Sequence, residues 1–305
     1  MSLSIPVNQF QLEFSDRVGL LLQERGSKLR QYVNMGTHTG SRAASPINQV
    51  GAITGAAPAG RFAPLQRTDA QTQRRWLTPS DRELAQLLDK FDMLRYSQDF
   101  KGPFAENAVL DIGRWMDDLI IAAATGPAAI GETGAGSEAF DTTNFRVPVD
   151  FGASAAVGLT VAKMIELRRR FASANVDLDN EPITLVITPA QEANLLNQIE
   201  VVSTDFNMRP VLVDGRVRSF LGMNIVVTNR TVANGGALDV VSTNQRRCFA
   251  FVKSGLYLGM WQDVNTQVTQ RDDLSGLPWQ IYTCATAGAT RLEQGKVIEV
   301  LCSEA

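Results

Sequence analysis

The residues that most often carry out catalysis are scarce in this sequence. Its 305 residues include a single histidine, His38, in a stretch rich in small and polar residues. A Ser-His or Cys-His nucleophile would depend on this side chain, and a histidine–cysteine zinc site would lack ligands. A carboxylate-only metal site stays open, although the EF-hand pattern is absent. We interpret His38 as a surface or loop residue and predict no catalytic centre and no cofactor.

Two further patterns could suggest chemistry. Asp117 and Asp118 are adjacent carboxylates, but neighbours on a helix face different directions, so we expect solvated or ion-paired side chains. Gly131, Gly134 and Gly136 form a glycine-rich loop of the kind that can cradle phosphate. This loop follows a predicted helix instead of a strand and lacks the Gly-Lys-Ser/Thr ending, so nucleotide binding is not predicted.

Arginine dominates the cationic side chains, with 23 arginines against six lysines. Its planar guanidinium suits interface ion pairs, so this bias suggests extensive contact between subunits. The one basic run, Arg168, Arg169 and Arg170, lies near the end of a predicted helix. Two interpretations stay open for this run: a solvated helix end that favours cations, or a basic patch at an inner surface or subunit interface.

Composition limits the class of protein. Hydrophobic residues make up 44% and charged residues 20%, which is ordinary for a folded chain, and 305 residues allow two modules. The net charge of −3 does not favour a dedicated nucleic-acid binder. No signal peptide or membrane span is predicted. Cys248, Cys284 and Cys302 lack metal-binding spacing and are interpreted as buried thiols in a reducing compartment.

The first third of the chain combines a helical segment with an extended one. Apolar spacing over residues 10–33 predicts an amphipathic helix that packs on the rest of the chain or on a neighbour. Residues 34–75 lack helical periodicity, which leaves a floppy linker and an extended hairpin as alternatives. Scattered bulky apolar residues favour the hairpin. The pattern Ser80-Asp-Arg-Glu83 predicts a short helix over residues 78–96.

The strongest predicted element is a long helix that begins near Gly102-Pro103 and ends at Gly126-Pro127. Its apolar residues recur at spacings of three and four, as on the buried face of a helix. Those expected in the core are Phe104, Ile112, Met116 and Ile120. On another face, Asp111, Arg114 and Asp118 are spaced for ion pairs.

Beyond this helix the pattern changes to α/β and then to β. Thr160 is placed to cap one helix, and Thr188 caps a second helix directly after a buried strand over residues 183–187. Asp214-Gly215 predicts a tight hairpin. Further strands are expected at 223–228, 248–252, 264–269, 279–285 and 296–302, the last three as a closing β ribbon.

Eight short stretches, in this order and spacing, are similar to phage major capsid proteins. They are Leu88-Asp-Lys-Phe-Asp92, Gly113-Arg-Trp-Met-Asp-Asp118, Ile120-Ile-Ala-Ala-Ala-Thr-Gly126, Gly131-Glu-Thr-Gly134, Val186-Ile-Thr-Pro-Ala-Gln191, Glu200-Val-Val-Ser203, Phe220-Leu-Gly-Met-Asn224 and Gly288-Ala-Thr-Arg291. Together with the order of elements, they resemble the Hong Kong 97-type capsid fold. The resemblance implies an α+β fold with an N-terminal arm (1–45), an extended E-loop hairpin (46–79), a P-domain (80–145 and 262–305) with a spine helix at about 103–125, and an α/β A-domain (146–261).

By this resemblance the chain is expected to be a major capsid protein that self-assembles, without catalysis, into an icosahedral virion shell around double-stranded DNA. Hexamers and pentamers, a separate scaffolding protein, a portal, and assembly in the bacterial cytoplasm without a membrane are implied. Arm and E-loop residues expected at subunit contacts are Phe14, Arg42, Arg61, Phe62, Arg67, Arg74 and Arg75. The alternatives are an encapsulin-like compartment of the same fold and a hydrolytic α/β enzyme with a swapped arm.

Overall fold

The computed structural model describes residues 23–40, 45–57, 60–61, 64, 67–89, 101–198, 212–213, 216–242 and 244–304. Phe14, Arg42, Phe62 and most of the helix predicted over residues 10–33 lie outside the described residues.

The helices and strands are numbered separately in chain order. The helices are α1 (Lys101–Thr125), α2 (Val161–Ser173) and α3 (Pro189–Leu196). The strands are β1 (Asn34–Thr37), β2 (Ser45–Val50), β3 (Thr72–Leu77), β4 (Ser80–Leu88), β5 (Ala128–Ile130), β6 (Gly136–Glu138), β7 (Arg146–Val147), β8 (Ile183–Ile187), β9 (Leu212–Val213), β10 (Arg216–Val217), β11 (Ser219–Phe220), β12 (Met223–Val227), β13 (Val240–Ser242), β14 (Gln245–Val252), β15 (Leu256–Gln270), β16 (Trp279–Arg291) and β17 (Val297–Ser303).

Helix α1 packs on a four-stranded sheet with the strand order β1-β15-β16-β4. The predicted core residues Ile112, Met116 and Ile120 are buried, while Phe104 is only partly buried. Burying side chains of this size stabilises the fold by about 2 kcal/mol each. The prediction of a long helix ending before Gly126-Pro127 is confirmed.

The helix predicted over residues 78–96 is wrong where the structure describes it. Ser80–Leu88 forms β4, which pairs antiparallel with β16. The two ends of the supposed capping box lie along this ladder, and the Glu83 carboxylate accepts a hydrogen bond from the Tyr282 hydroxyl at 3.2 Å. A partner distant in sequence has overridden the local helical signal.

A larger sheet forms the α/β module, with the strand order β11-β12-β8-β14-β17-β7 and with β13 paired to β14. Helices α2 and α3 contribute Met164, Leu167, Phe171 and Leu195 to the core on one face of this sheet. Helix α1 shares the core on the other face. Strand β17 lies between β14 and β7 in this sheet and is buried along most of its length, so the prediction that it continues the closing ribbon is wrong. The ribbon itself consists of β15 and β16.

The E-loop begins and ends as an antiparallel pair, with Ser45 opposite Leu77 and Val50 opposite Thr72. Its sheet continues from β3 through β5 to β6. The interpretation of this stretch as an extended hairpin is confirmed. The described part of the predicted N-terminal helix is different: residues 23–33 contain a 3₁₀ turn, Arg30–Tyr32, instead of an α-helix. This segment nevertheless packs on its own chain, because Leu29 and Val33 are buried.

Candidate functional site

The E-loop carries the clearest candidate surface for binding another molecule. Every described residue between 51 and 69 is exposed, including Arg61 and Arg67. Val50 and Ile53 are 71% and 58% exposed, although both are large apolar residues. Residues 46–79 contain four arginines and one aspartate, a formal charge of +3 in a chain of net −3, which leaves −6 on the remainder. The loop is therefore a basic and partly apolar extension of an acidic body.

The root of the E-loop rests on the glycine-rich turn between β5 and β6. The Trp76 indole donates to the carbonyl of Gly131 at 2.7 Å, and the Arg74 guanidinium lies over the Trp76 ring at 5.9 Å. Gly134 has φ of 79°, and a Cβ there would lie 2.9 Å from Cγ of Trp76. These glycines thus allow the Trp76 indole to pack directly against the turn. In the sequence, the glycine pattern suggests only a possible phosphate-binding loop.

Arg75 is buried at the same root. Its Nε donates to the carbonyl of Leu292 at 2.9 Å, and its guanidinium forms an ion pair with Glu138. Burial opposes ionisation of Glu138, but hydrogen bonds from Arg75 and Gln294 and the charges of Arg75 and Arg291 together lower its pKa. Since the guanidinium is buried in an ion pair within its own chain, Arg75 is not retained among the proposed subunit contacts.

Two glycines fix the other side of this root. Gly259 and Gly288 lie opposite each other on the β15–β16 ladder. A Cβ at Gly259 would overlap the Leu77 side chain and lie 2.7 Å from Cδ2 of His38, and one at Gly288 would overlap the Thr78 carbonyl. The missing side chains leave room for the end of β3, so they determine where the E-loop leaves the sheet.

His38 is partly buried at the root of the E-loop and is not a simple surface residue. Its Nδ1 lies 2.7 Å from the Ser45 hydroxyl and its Nε2 lies 3.0 Å from the Tyr257 hydroxyl. The ring also lies against Trp261, with centroids 5.1 Å apart. Burial lowers the pKa of His38. Its contacts join the end of β1, the start of β2 and β15, which is a structural role.

The adjacent carboxylates of α1 differ sharply in environment. Asp118 is ion-paired, as expected, with Arg230 as its partner. Asp117 is buried, so the expectation of a solvated or ion-paired side chain is wrong for it. Burial raises the pKa of Asp117, while hydrogen bonds from Ser27, Lys28 and Leu29 act in the opposite direction.

The basic run on α2 is partly neutralised within its own chain. Arg169 and Arg170 both form ion pairs with Glu166, at 2.6 and 2.7 Å. Their hydrogen bonds lower the pKa of Glu166 to about 2, against the opposing effect of burial. Arg168 is exposed and donates to the carbonyl of Leu221 at 2.9 Å. Only Arg168 and Arg169 are therefore exposed enough to meet another molecule.

Sequence reasoning missed Arg291, which is buried at the C-terminal end of α1. Its Nη1 donates to the carbonyls of Ala124 at 3.0 Å and Gly126 at 2.7 Å. The last turn of α1 contains no basic residue, so Arg291 supplies the cation that a helix C-terminus favours. Burial is the main reason why its pKa is lowered to about 10. The only available signal was a charged residue in the apolar alternation of β16.

Neither a metal centre nor a membrane-spanning helix is found among the described residues. No three histidine, cysteine, aspartate or glutamate side chains in that part of the chain converge as metal ligands. None of the helices described has the length and apolar character needed to cross a bilayer. Cys248 and Cys302 are buried, as predicted, whereas Cys284 is partly exposed on β16.

The sequence profile of the phage capsid protein family matches residues 7–304. No curated protein matches the chain. The capsid of cyanophage Pam1 has the same fold, with a TM-score of 0.74 at 14% identity over 100% of this chain and 99% of that chain. The capsid of cyanophage P-SCSP1u matches with a TM-score of 0.73 at 15% identity, over 98% of this chain and 94% of that chain. The capsid of Ralstonia phage GP4 matches with a TM-score of 0.74 at 8% identity, over 99% of this chain and 98% of that chain.

Proposed function

Because the chain belongs to the phage capsid protein family, we propose that its copies assemble, without catalysing a reaction, into a closed shell around packaged double-stranded DNA. It is a major capsid protein with the Hong Kong 97-type fold, and such subunits build an icosahedral shell. Its place is in the virion, and its assembly into hexamers and pentamers occurs in the bacterial cytoplasm with a separate scaffolding protein and a portal. The family match favours this function over an encapsulin-like compartment.

The observation that carries the proposal is the basic E-loop, which stands away from its own body. A chain segment with this much exposed apolar and cationic surface gains stability by packing on a partner. In a homo-oligomer the partner surface is another part of the same chain, and repetition of one contact closes the shell. Arg61, Arg67 and Arg74 are the described arginines that we assign to this contact.

An acidic face on the P-domain sheet suits the E-loop of a neighbouring copy. Asp81 and Glu83 on β4 are exposed, and no cation among the described residues pairs with either. Leu87, on the same face of β4, is 53% exposed. This face therefore offers carboxylates to the E-loop arginines and an apolar contact to Val50 or Ile53.

Phe14, Arg42 and Phe62 remain proposed contacts of the arm and E-loop. Arg168 and Arg169 are proposed to face either an adjoining subunit or the interior of the shell. With a net charge of −3, the chain encloses DNA without sequence-specific binding.

The test is charge reversal followed by electron microscopy. Wild-type chains should form closed shells, while R61E combined with R67E should remain as unassembled, folded subunits. Adding D81R and E83R to this variant should restore part of the particle yield. Lys253→Glu, at an exposed position on the α/β module, is the matched control and should assemble normally. Particles formed at the wild-type level by the doubly reversed loop would contradict the loop's role. A wild type that forms no shells even with its scaffolding protein present would contradict the function.

A further inference from the structure

The adjacent carboxylates Asp117 and Asp118 of α1 hold two different parts of the chain. Asp117 accepts hydrogen bonds from the Ser27 hydroxyl at 2.5 Å, the Lys28 amide at 2.8 Å and the Leu29 amide at 3.1 Å. We call residues 23–33 the strap, because they cross from α1 to the α/β module. A carboxylate with three donors fixes the backbone of the strap at the point where it turns.

Asp118 holds the connection that follows β12, residues 228–238. It forms an ion pair with two nitrogens of Arg230, one of them Nε at 3.1 Å, and accepts the amide of Ala237, also at 3.1 Å. Arg230 also donates to the carbonyl of Gly235 at 3.0 Å, so it ties this connection to itself as well as to α1. The two carboxylates thus face separate segments, as their adjacent positions on a helix require.

The strap and the connection also contact each other directly. Glu24 accepts the amide of Asn229 at 2.8 Å and the Thr228 hydroxyl at 3.2 Å. Lys28 donates to Glu24 at 2.8 Å and to the carbonyl of Val227 at 2.9 Å. Three elements, α1, the strap and the connection, are therefore joined pairwise in a closed ring of polar contacts.

The seat of the strap is also closely packed. A Cβ at Gly113 of α1 would lie 2.8 Å from the backbone of Gly26, so no larger residue fits there without displacement. Arg114 donates to the Gln23 side chain at 2.6 Å and to the carbonyl of Glu24 at 3.1 Å. Leu29 and Val33 are buried in the same core as Ile112 and Met116.

We propose that the strap couples the spine helix to the α/β module, so that loosening either carboxylate contact also loosens the other. Each element of the ring is oriented by two neighbours, and a link that is lost leaves the remaining groups less well aligned. Interactions within such a network are not additive, and their coupling changes the equilibrium constant for local opening several-fold or more. This inference concerns the subunit itself and does not depend on the proposed shell.

Hydrogen exchange on the full-length chain tests the coupling, with every variant measured in the same assembly state. Arg230→Met removes the ion pair between Asp118 and the connection and leaves the Ala237 hydrogen bond to Asp118 in place. It removes no hydrogen bond to the strap, although the charge of Arg230 also acts on Glu24. We expect roughly tenfold faster exchange in peptides from the strap as well as in those from residues 228–238. The matched control is Arg168→Met, which removes an arginine that donates to a carbonyl of the same module outside the ring. It should leave strap exchange unchanged.

The reciprocal variant is Ser27→Ala, which removes one of the three donors to Asp117 and the acceptor of the Arg30 amide within the strap. It serves if Arg230→Met does not fold. It should accelerate exchange in residues 228–238, with which Ser27 forms no hydrogen bond among the described residues. Exchange in β14 should match wild type in both variants, which distinguishes coupling from general unfolding. If each variant accelerates exchange only in the segment it contacts directly, the two carboxylates act independently and the proposal is wrong.

Discussion

Replacing Arg291 by methionine should loosen the C-terminal end of α1. Methionine matches the aliphatic part of the arginine side chain but cannot donate a hydrogen bond. The Arg291 side chain is buried, so water has little access to the carbonyls of Ala124 and Gly126 that it now satisfies. The substitution therefore leaves two helix-terminal acceptors without their partner and removes the cation at that end of the helix.

The size of the effect follows from these contacts. A hydrogen bond from a charged donor contributes about 1.5–3 kcal/mol, and the favourable position at the helix end adds about 0.5–1 kcal/mol. Methionine offsets part of this loss, because burying a guanidinium carries a desolvation cost that burying a thioether does not. We expect a decrease of about 3–4 kcal/mol in the free energy of unfolding, within the range seen when one partner of a buried charged contact is removed.

The assay is equilibrium unfolding of the unassembled chain in urea, followed by circular dichroism. A loss of this size should lower the midpoint by about 1 M or more. Arg291→Lys keeps the charge and should recover part of the loss, and Arg271→Met is the control, since Arg271 pairs with Asp273 at the exposed ribbon turn. A midpoint for Arg291→Met within experimental error of the control would refute the reasoning about the helix end.

Three further predictions concern the E-loop root, acid stability and the shell. Gly259→Val should displace Leu77 and His38 and reduce shell yield, measured by sedimentation, while leaving a folded subunit by circular dichroism. Glu166 has its pKa lowered to about 2, so it stabilises the fold above pH 4.5 and loses this contribution as pH falls towards 2. Glu166→Gln should therefore flatten the acid limb of a stability–pH curve. Residues 46–79 contain no lysine whose amine could form a covalent link to a neighbouring subunit. Boiled particles should therefore give a single monomer band on a non-reducing gel, and a ladder of multimers would contradict a shell without covalent links.

Elements with strong local signals were predictable from the sequence. Pro103 in the first turn of α1, Gly126 after its end and the threonine before α2 all act within a few residues, and the structure has both helices. Asp214-Gly215 lies outside the described residues, but the strands on either side of it pair antiparallel, as expected of a hairpin. The Thr160 side chain accepts the Lys163 amide at 3.4 Å. The order of these elements, together with the eight short stretches, carries the resemblance to the capsid fold.

The errors arose where distant residues determine the conformation. Residues 80–88 have a helical capping pattern, but β16 offers a complete antiparallel ladder to pair with, and the sheet prevails. β17 was assigned to the ribbon because it follows β16 in sequence, yet it pairs with β14 and β7. Strand pairing of this kind is not encoded in local alternation, which indicates that a strand exists but not which strand it meets.

The candidate contact residues show the same distinction between type and environment. The sequence does not distinguish the four E-loop arginines, although burial separates them: Arg61 and Arg67 are exposed, whereas Arg75 forms an ion pair inside the root. No periodicity distinguishes these positions, since the buried ion pair depends on Glu138 from β6, 63 residues away. An exposed arginine is free to contact another molecule. A buried arginine instead holds the loop from which the exposed arginines project. Arg75 keeps the root of the E-loop in place, and the exposed arginines, which we propose contact a neighbouring subunit, project from that root.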